Sequence, residues 1–267
     1  MKKLFVAGLA IGLGLVGTVK SVGAASVEVQ FNRGNVLEVS QVSDFEVFST
    51  MMLGVEVTAS FTGTTDTQTL TWGVLSRDSN NQIVTMGVKD SENGWTLYQK
   101  NEDTYNGIWF LESTSASITS LFIDAIIGNT AFDTMPYFID SGYQNFLPTD
   151  IAPDGIGTAP SMIGYTFEIV GANSWEVVAA YNDAVRLPLA VSPGGVVGDL
   201  YGSLTIDFGK NTPFAPVPDT TGGTTTSVLS FKADTDRVSA PVPEPATLLL
   251  FATGLAGLAA VGRRRRN

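Results

Sequence analysis

Carboxylates are the side chains of this sequence with the most capacity for chemistry, because the usual nucleophilic and zinc-binding residues are absent. The sequence contains no histidine and no cysteine. This composition excludes a Ser-His-Asp triad, a Cys-His pair and a zinc site built from histidine or cysteine. Residues 26–242 contain 25 Asp and Glu against 8 Lys and Arg, which gives this range a net charge of −17. Catalysis would have to use carboxylates, Lys, Tyr, Ser or a calcium-type metal.

No motif selects a catalytic pair among these acids. A glycoside hydrolase needs two carboxyl groups about 5 to 10 Å apart in a cleft. With 25 acids in this range, some pair will meet that distance by chance. The sequence therefore predicts no catalytic residue, and we favour a protein without enzymatic activity. A body this acidic is also a poor ligand for nucleic acid, so no nucleic-acid partner is expected.

Two short segments place aspartates close together along the chain. Asp150 and Asp154 precede Gly155, and Asp234 and Asp236 are separated by one residue. Calcium takes six to eight oxygen ligands, but neither segment matches the EF-hand loop D-x-[DN]-x-[DN]-G. Asp, Pro and Gly also form ordinary turns. The sequence therefore predicts no metal ligand and no cofactor, and it leaves calcium binding open.

Aromatic residues are the second group of candidates, because flat rings can stack on the C–H faces of sugars. Three of them, Tyr137, Tyr143 and Phe146, fall in an irregular stretch that spans residues 129–161. Binding residues are often carried by such loops, so these three are the predicted glycan-stacking residues. Packing inside the protein is the alternative role for the whole group. Its members are Trp95, Tyr98, Tyr105, Trp109, Phe110, Phe132, Tyr137, Phe138, Tyr143 and Phe146.

The elements that must position these side chains are predicted to be short β-strands. Residues 55–61 alternate strictly between apolar and polar, and residues 70–74 repeat the period around Trp72. This pattern is typical of a half-buried strand. Asn93-Gly94 suits a tight hairpin turn, because both residues tolerate a positive φ. Such strands at close spacing predict an all-β body, an antiparallel β-sandwich or a jelly-roll-like fold.

Composition divides the sequence into four parts. Residues 1–25 are predicted to be a signal peptide, and residues 26–210 the β-sandwich body. Residues 211–241 are rich in Pro, Thr and Gly and are predicted to be a linker, with one further strand near its end. Residues 242–267 form a separate C-terminal segment.

The N-terminal segment has the three parts of a secretory signal. Lys2 and Lys3 provide a basic start, and Leu4–Val19 is an apolar stretch suited to a helix. Small residues then precede a predicted cleavage site between Ala25 and Ser26. An uncleaved membrane anchor is the alternative.

The C-terminal segment reads as a membrane span followed by a basic cluster. Ala246 to Gly262 is a run of 17 residues without charge, and a helix of that length spans about 26 Å, close to the minimum for a bilayer core. Arg263, Arg264, Arg265 and Arg266 follow and mark the cytoplasmic side of a transmembrane helix. This orientation places the body on the opposite side of the membrane. A buried C-terminal helix is the alternative.

In the C-terminal segment, the apolar run and the arginines follow Val242, Pro243, Glu244 and Pro245. On the basis of these residues, the segment resembles the PEP-CTERM sorting signal. The resemblance covers the C-terminal tag alone and assigns no family to the body. It implies recognition, and processing near Pro243-Glu244-Pro245, by an exosortase, a membrane-embedded transpeptidase-like enzyme. Proteins with this signal are exported by Gram-negative bacteria that make exopolysaccharide, and are expected at the cell surface or in the biofilm matrix.

Together these features predict an exported surface or biofilm-matrix protein with a structural or interaction role. The membrane would hold the protein through its C-terminal helix at least until processing. The first alternative is a carbohydrate-binding module that uses the aromatic middle region and meets extracellular polysaccharide. The second is a glycan-active hydrolase built on carboxylates.

Overall fold

The computed structural model describes residues 17–18, 26–32, 36–44, 46–134, 164–171, 175–186, 197–209, 212–218 and 223–239. In these ranges the chain is all-β, and its only helical segments are two short 3-10 turns, Ser49–Met52 and Ile126–Gly128. Within the same ranges, no helix is long and apolar enough to cross a membrane.

The strands are numbered in chain order. They are β1 (Gly17–Thr18), β2 (Val27–Phe31), β3 (Val36–Glu38), β4 (Val42–Asp44), β5 (Glu56–Phe61), β6 (Thr67–Thr71), β7 (Gly73–Arg77), β8 (Ile83–Asp90), β9 (Trp95–Lys100), β10 (Trp109–Ser113), β11 (Ile118–Asp124), β12 (Thr130–Asp133), β13 (Glu168–Ile169), β14 (Val177–Arg186), β15 (Val197–Asp207), β16 (Val217–Pro218), β17 (Thr224–Thr225), β18 (Ser227–Lys232) and β19 (Asp234–Val238).

Two large sheets make up most of the body, and β16 and β17 form a separate antiparallel pair. The larger sheet has the order β1-β2-β14-β15-β11-β5-β6, and β3, β4, β12 and β19 join it from the side. The smaller sheet has the order β13-β18-β10-β9-β8-β7. Most pairs are antiparallel, as predicted, but β14 runs parallel to β2 and to β3. The larger sheet is therefore mixed, and this differs from the purely antiparallel expectation.

One hydrophobic core lies between the two sheets. Alternate residues of a strand point to the same face of its sheet, and the inward residues of both sheets belong to a single buried cluster. Trp72 and Trp109 meet in this core with ring centroids 5.1 Å apart. Trp109 also lies 6.4 Å from Phe132 of the opposite sheet. The inner faces therefore interlock in the manner of a β-sandwich.

Trp72 marks the point where the chain leaves one sheet for the other. The alternating run around it continues without a break in the sequence, but β6 belongs to the larger sheet and β7 to the smaller one. The indole N–H of Trp72 donates to the carbonyl oxygen of Ser49 at 3.0 Å. Trp72 lies in the core, with 1% of its surface exposed.

The body continues to Val238, beyond the boundary at residue 210 that composition suggested. Within the predicted linker, β18 pairs with β10 and with β13 in the smaller sheet. β19 pairs with β12 and with β4 in the larger sheet. The C-terminal part of residues 211–241 therefore forms integral strands of the sandwich.

The predicted signal peptide is described at two residues only. Gly17–Thr18 is an extended strand that pairs antiparallel with β2, so these two residues are not part of a signal helix here. The rest of the predicted signal helix, and the predicted transmembrane helix, lie outside the described residues. Cleavage before Ser26 would remove β1 and leave β2 paired with β14.

Candidate functional site

Three buried aspartates converge where β12 meets β19. The register places Asp133 opposite Asp234. Asp236 shares a strand face with Asp234, because alternate residues of a strand point the same way. Carboxylate oxygens of the three residues all lie within 4.8 Å of one another. Their exposed fractions are 0%, 2% and 0%, so solvent does not screen this cluster.

Asp234 is the member whose electrostatic surroundings are best defined. Its Oδ1 accepts a hydrogen bond from the Thr104 hydroxyl at 3.0 Å and from the backbone N–H of Thr235 at 2.8 Å. Burial raises the pKa of Asp234 to about 7, with a further increase from the nearby charge of Asp103, and the two hydrogen bonds act in the opposite direction. Three carboxylates this close can be neutralised by protons or by one bound cation.

Gly164 packs closely against Asp133. A Cβ on Gly164 would contact the Asp133 carboxylate and would lie 2.7 Å from the Asp133 carbonyl oxygen. We expect Gly164→Ala to lower the free energy of unfolding by about 1 to 3 kcal/mol, because the added methyl group forces the backbone apart.

Chemical denaturation of Gly164→Ala and Gly73→Ala provides the measurement and its control. The nearest atom to a Cβ on Gly73 is a carbonyl oxygen at 4.0 Å, so that variant should be neutral or slightly stabilising. Equal stability losses in the two variants would show that Gly164 does not provide close packing against Asp133.

The sequence identified two of the three aspartates as a close pair but missed the third. Asp133 is about a hundred residues away along the chain, and only the β12–β19 pairing brings it to Asp234 and Asp236. No local pattern around Asp133 indicates this contact. The other predicted pair, Asp150 and Asp154, lies outside the described residues.

Most of the predicted site residues also lie outside the described residues. Of the cleavage pair, Ser26 is described, and its carbonyl oxygen accepts a hydrogen bond from the backbone N–H of Val177 at 3.0 Å. The undescribed residues are Ala25, the stacking residues Tyr137, Tyr143 and Phe146, the motif residues Val242, Pro243, Glu244 and Pro245, and the arginines Arg263, Arg264, Arg265 and Arg266.

The described members of the aromatic group divide between the core and the surface. Trp95, Trp109 and Phe132 are buried in the core. Tyr98 and Phe110 point to the outer side of the smaller sheet, where their rings stack with centroids 5.1 Å apart and an interplanar angle of 18°. Tyr98 and Phe110 belong to the aromatic group that the sequence identified but were not among the three predicted stacking residues, and they lie on regular strands.

Comparison with known proteins gives one match, and it lies in the C-terminal segment. No curated protein and no solved structure matches the chain. Residues 241–266 match the family model described as the PEP-CTERM protein-sorting motif. The match contains the whole Pro-Glu-Pro segment, the apolar run and the arginine cluster that carried the resemblance. This chain therefore carries a PEP-CTERM protein-sorting motif at residues 241–266, joined to a β-body to which no family is assigned.

Proposed function

We propose that this protein is exported, recognised by an exosortase through its PEP-CTERM motif, and placed at the cell surface or in the extracellular matrix. The motif match at residues 241–266 is the observation that carries this proposal. The apolar run holds the chain in the membrane until the enzyme acts near Pro243-Glu244-Pro245. The acidic β-body then lies outside the cell, with a structural or interaction role and no catalytic activity.

Two carboxylate environments in the described part of the chain bear on whether the body is an enzyme. Asp234 has the raised pKa expected of a general acid, yet it and its two acidic neighbours are closed to solvent. An open depression beside the β5–β6 hairpin contains one carboxylate, that of Asp66. A carboxylate-dependent glycosidase needs two acids that face a substrate together, and neither place offers an accessible pair.

Intact-mass measurement on protein recovered from its native producer tests the sorting proposal. We expect a mass that lacks residues 1–25 and the residues beyond about Pro245. A triple variant, Pro243→Ala with Glu244→Ala and Pro245→Ala, should keep the C-terminal arginines because the exosortase no longer recognises it.

The body offers a matched control for this experiment. The sequence Ala-Pro-Val-Pro occurs at residues 215–218 and again at residues 240–243. Pro216→Ala with Pro218→Ala should leave processing unchanged. Recovery of wild-type protein that retains Arg263–Arg266 would mean that the tail is a permanent anchor, and would overturn the processing step.

A further inference from the structure

The outer side of the smaller sheet has a composition unlike that of the rest of the molecule. Tyr98 and Phe110 lie opposite each other on β9 and β10. Lys89 and Lys100 are exposed and share this side, because β8 and β9 pair Lys89 with Thr96 and Thr85 with Lys100. Lys232, on β18, also points outward. We call these five residues the aromatic–lysine face.

The two rings stack face to face and are held in place, so each ring keeps only its other face for a ligand. Tyr98 donates a hydrogen bond from its hydroxyl to Glu112 Oε1 at 2.8 Å. On its other side Tyr98 is paired with Gly87, which has no side chain to cover the ring. A second ring pair, Tyr105 and Tyr165, lies toward the edge of the sheet with centroids 4.9 Å apart. Flat rings held in this way are suited to stacking on the C–H face of a sugar.

A lysine ammonium group lies over one ring of each of these two pairs. Lys100 Nζ is 5.9 Å from the centroid of Phe110, and Lys232 Nζ is 4.7 Å from the centroid of Tyr165. These contacts keep both charges close to the sheet. β9 and β18 are separated by β10 alone, so the two lysines stand on strands about 10 Å apart. Positive charge and stacking surface are therefore available to one extended ligand.

The distribution of lysines over the sandwich is one-sided. Residues 26–242 contain four lysines, and three of them are on the aromatic–lysine face. The strands of the larger sheet contain none, and its outer side carries Glu56, Asp124 and Asp207. Two glutamates, Glu112 and Glu168, accompany the lysines, and Glu112 is already bonded to Tyr98. Residues 26–242, with a net charge of −17, thus place three of their four lysines on one side of the sandwich.

We propose that the aromatic–lysine face binds an acidic polysaccharide, with Tyr98 and Phe110 stacking on sugar rings while Lys100 and Lys232 pair with uronate carboxylates. The charge complementarity distinguishes this ligand from a neutral glycan, which would gain nothing from the lysines. Binding at this face does not depend on the sorting function. It can therefore be tested on purified protein without an exosortase.

Affinity gel electrophoresis of the full chain, purified in non-ionic detergent, tests the proposal. The probes are alginate, a polyuronate, and neutral dextran, both with EDTA present so that calcium cannot bridge two acidic polymers. Mobility is expressed as the ratio of values with and without polysaccharide, which cancels the charge change of a variant. We expect alginate to retard the protein and dextran to leave its mobility unchanged.

Variants on the two sides of the sandwich supply the matched comparison. Phe110→Ala should weaken alginate binding about tenfold, and Lys100→Gln with Lys232→Gln about fivefold. Phe122→Ala removes a ring that is 36% exposed on the outer side of the larger sheet, and should bind like wild type. Arg77→Gln with Arg237→Gln removes two positive charges elsewhere and should also bind like wild type.

Three binding results would overturn the proposal, and a fourth result, a change in oligomeric state, would replace it. The first is an absence of alginate retardation, and the second is equal retardation by dextran. The third is unchanged binding by the double lysine variant. Its substitutions change one exposed and one half-buried surface lysine, so it should fold even if Phe110→Ala does not. Sedimentation without polysaccharide tests whether a second copy of the chain, and not a polysaccharide, binds to the aromatic–lysine face. A wild-type dimer that Phe110→Ala converts to a monomer would replace the polysaccharide proposal.

Discussion

Replacing Trp109 with alanine is expected to lower the free energy of unfolding by about 4 kcal/mol. Trp109 is fully buried between the sheets and stacks on Phe231 with centroids 5.7 Å apart and an interplanar angle of 12°. Its indole N–H donates to the carbonyl oxygen of Ala233 at 2.9 Å, directly before Asp234. The substitution therefore leaves both a cavity and an unpaired buried carbonyl group.

Denaturant unfolding followed by circular dichroism measures this loss. Trp109→Phe is an informative intermediate, because it keeps most of the ring volume and removes the hydrogen bond. Phe122→Ala is the surface control and should cost less than about 1 kcal/mol. A loss below about 1 kcal/mol in Trp109→Ala would mean that the core between the sheets collapses around the missing ring.

The protein is expected to lose stability as the pH rises from about 4 to about 7, and Asp234 is the group responsible. The folded-state pKa of Asp234 is raised from 3.8 to about 7 by burial. In this range the folded state keeps a proton that the unfolded state has released. Stability is therefore greatest below the unfolded-state pKa and falls as the pH passes through the folded-state pKa. A shift of about three pH units corresponds to roughly 4 kcal/mol.

Asp234→Asn should flatten this pH dependence. Asparagine keeps an oxygen that accepts the hydrogen bond from Thr104, and it has no charge to bury. The measurement is the difference in unfolding free energy between variant and wild type, taken at several pH values in EDTA. Asp66→Asn, which changes an exposed loop acid, should leave the profile unchanged. A wild-type profile that rises from pH 4 to pH 7 would contradict the prediction.

The same titration with calcium chloride in place of EDTA separates two ways of neutralising the aspartates. If only protons neutralise the aspartates, calcium should not change the free energy of unfolding at any pH. A cation held by Asp133, Asp234 and Asp236 would instead stabilise the protein most above pH 7, where Asp234 no longer holds a proton that competes with the cation. Removal of that cation by EDTA would then expose the fall in unfolding free energy between pH 4 and pH 7.

Local patterns predicted the strands well because each strand is half-buried. Residues 55–61 alternate between apolar and polar, and they coincide closely with β5. A hairpin is present between β8 and β9, but its loop spans the four residues 91–94, and of the Asn-Gly pair only Gly94 has a positive φ, 71°. The sequence did not predict which sheet each strand joins. A single alternating run around Trp72 contributes β6 to the larger sheet and β7 to the smaller one.

Composition misplaced the end of the body for a related reason. Proline, threonine and glycine dominate the start of residues 211–241, and such composition is typical of a linker. The strands β18 and β19 that follow are short, and their pairing partners lie about a hundred residues earlier in the chain. A short apolar run carries no information on distant partners, so its place inside a sheet could not be read locally.

The sequence alone determined where this protein carries its sorting signal and which chemistries it lacks. A linear motif is recognised as an extended segment, and missing residue types cannot be supplied by folding. The tertiary structure alone decided which distant side chains meet. It brought Asp133 to Asp234 and Asp236, and it placed Lys89, Lys100 and Lys232 on the same outer side of the smaller sheet as Tyr98 and Phe110. Such clusters depend on strand pairing across long stretches of chain, which neither periodicity nor net charge encodes.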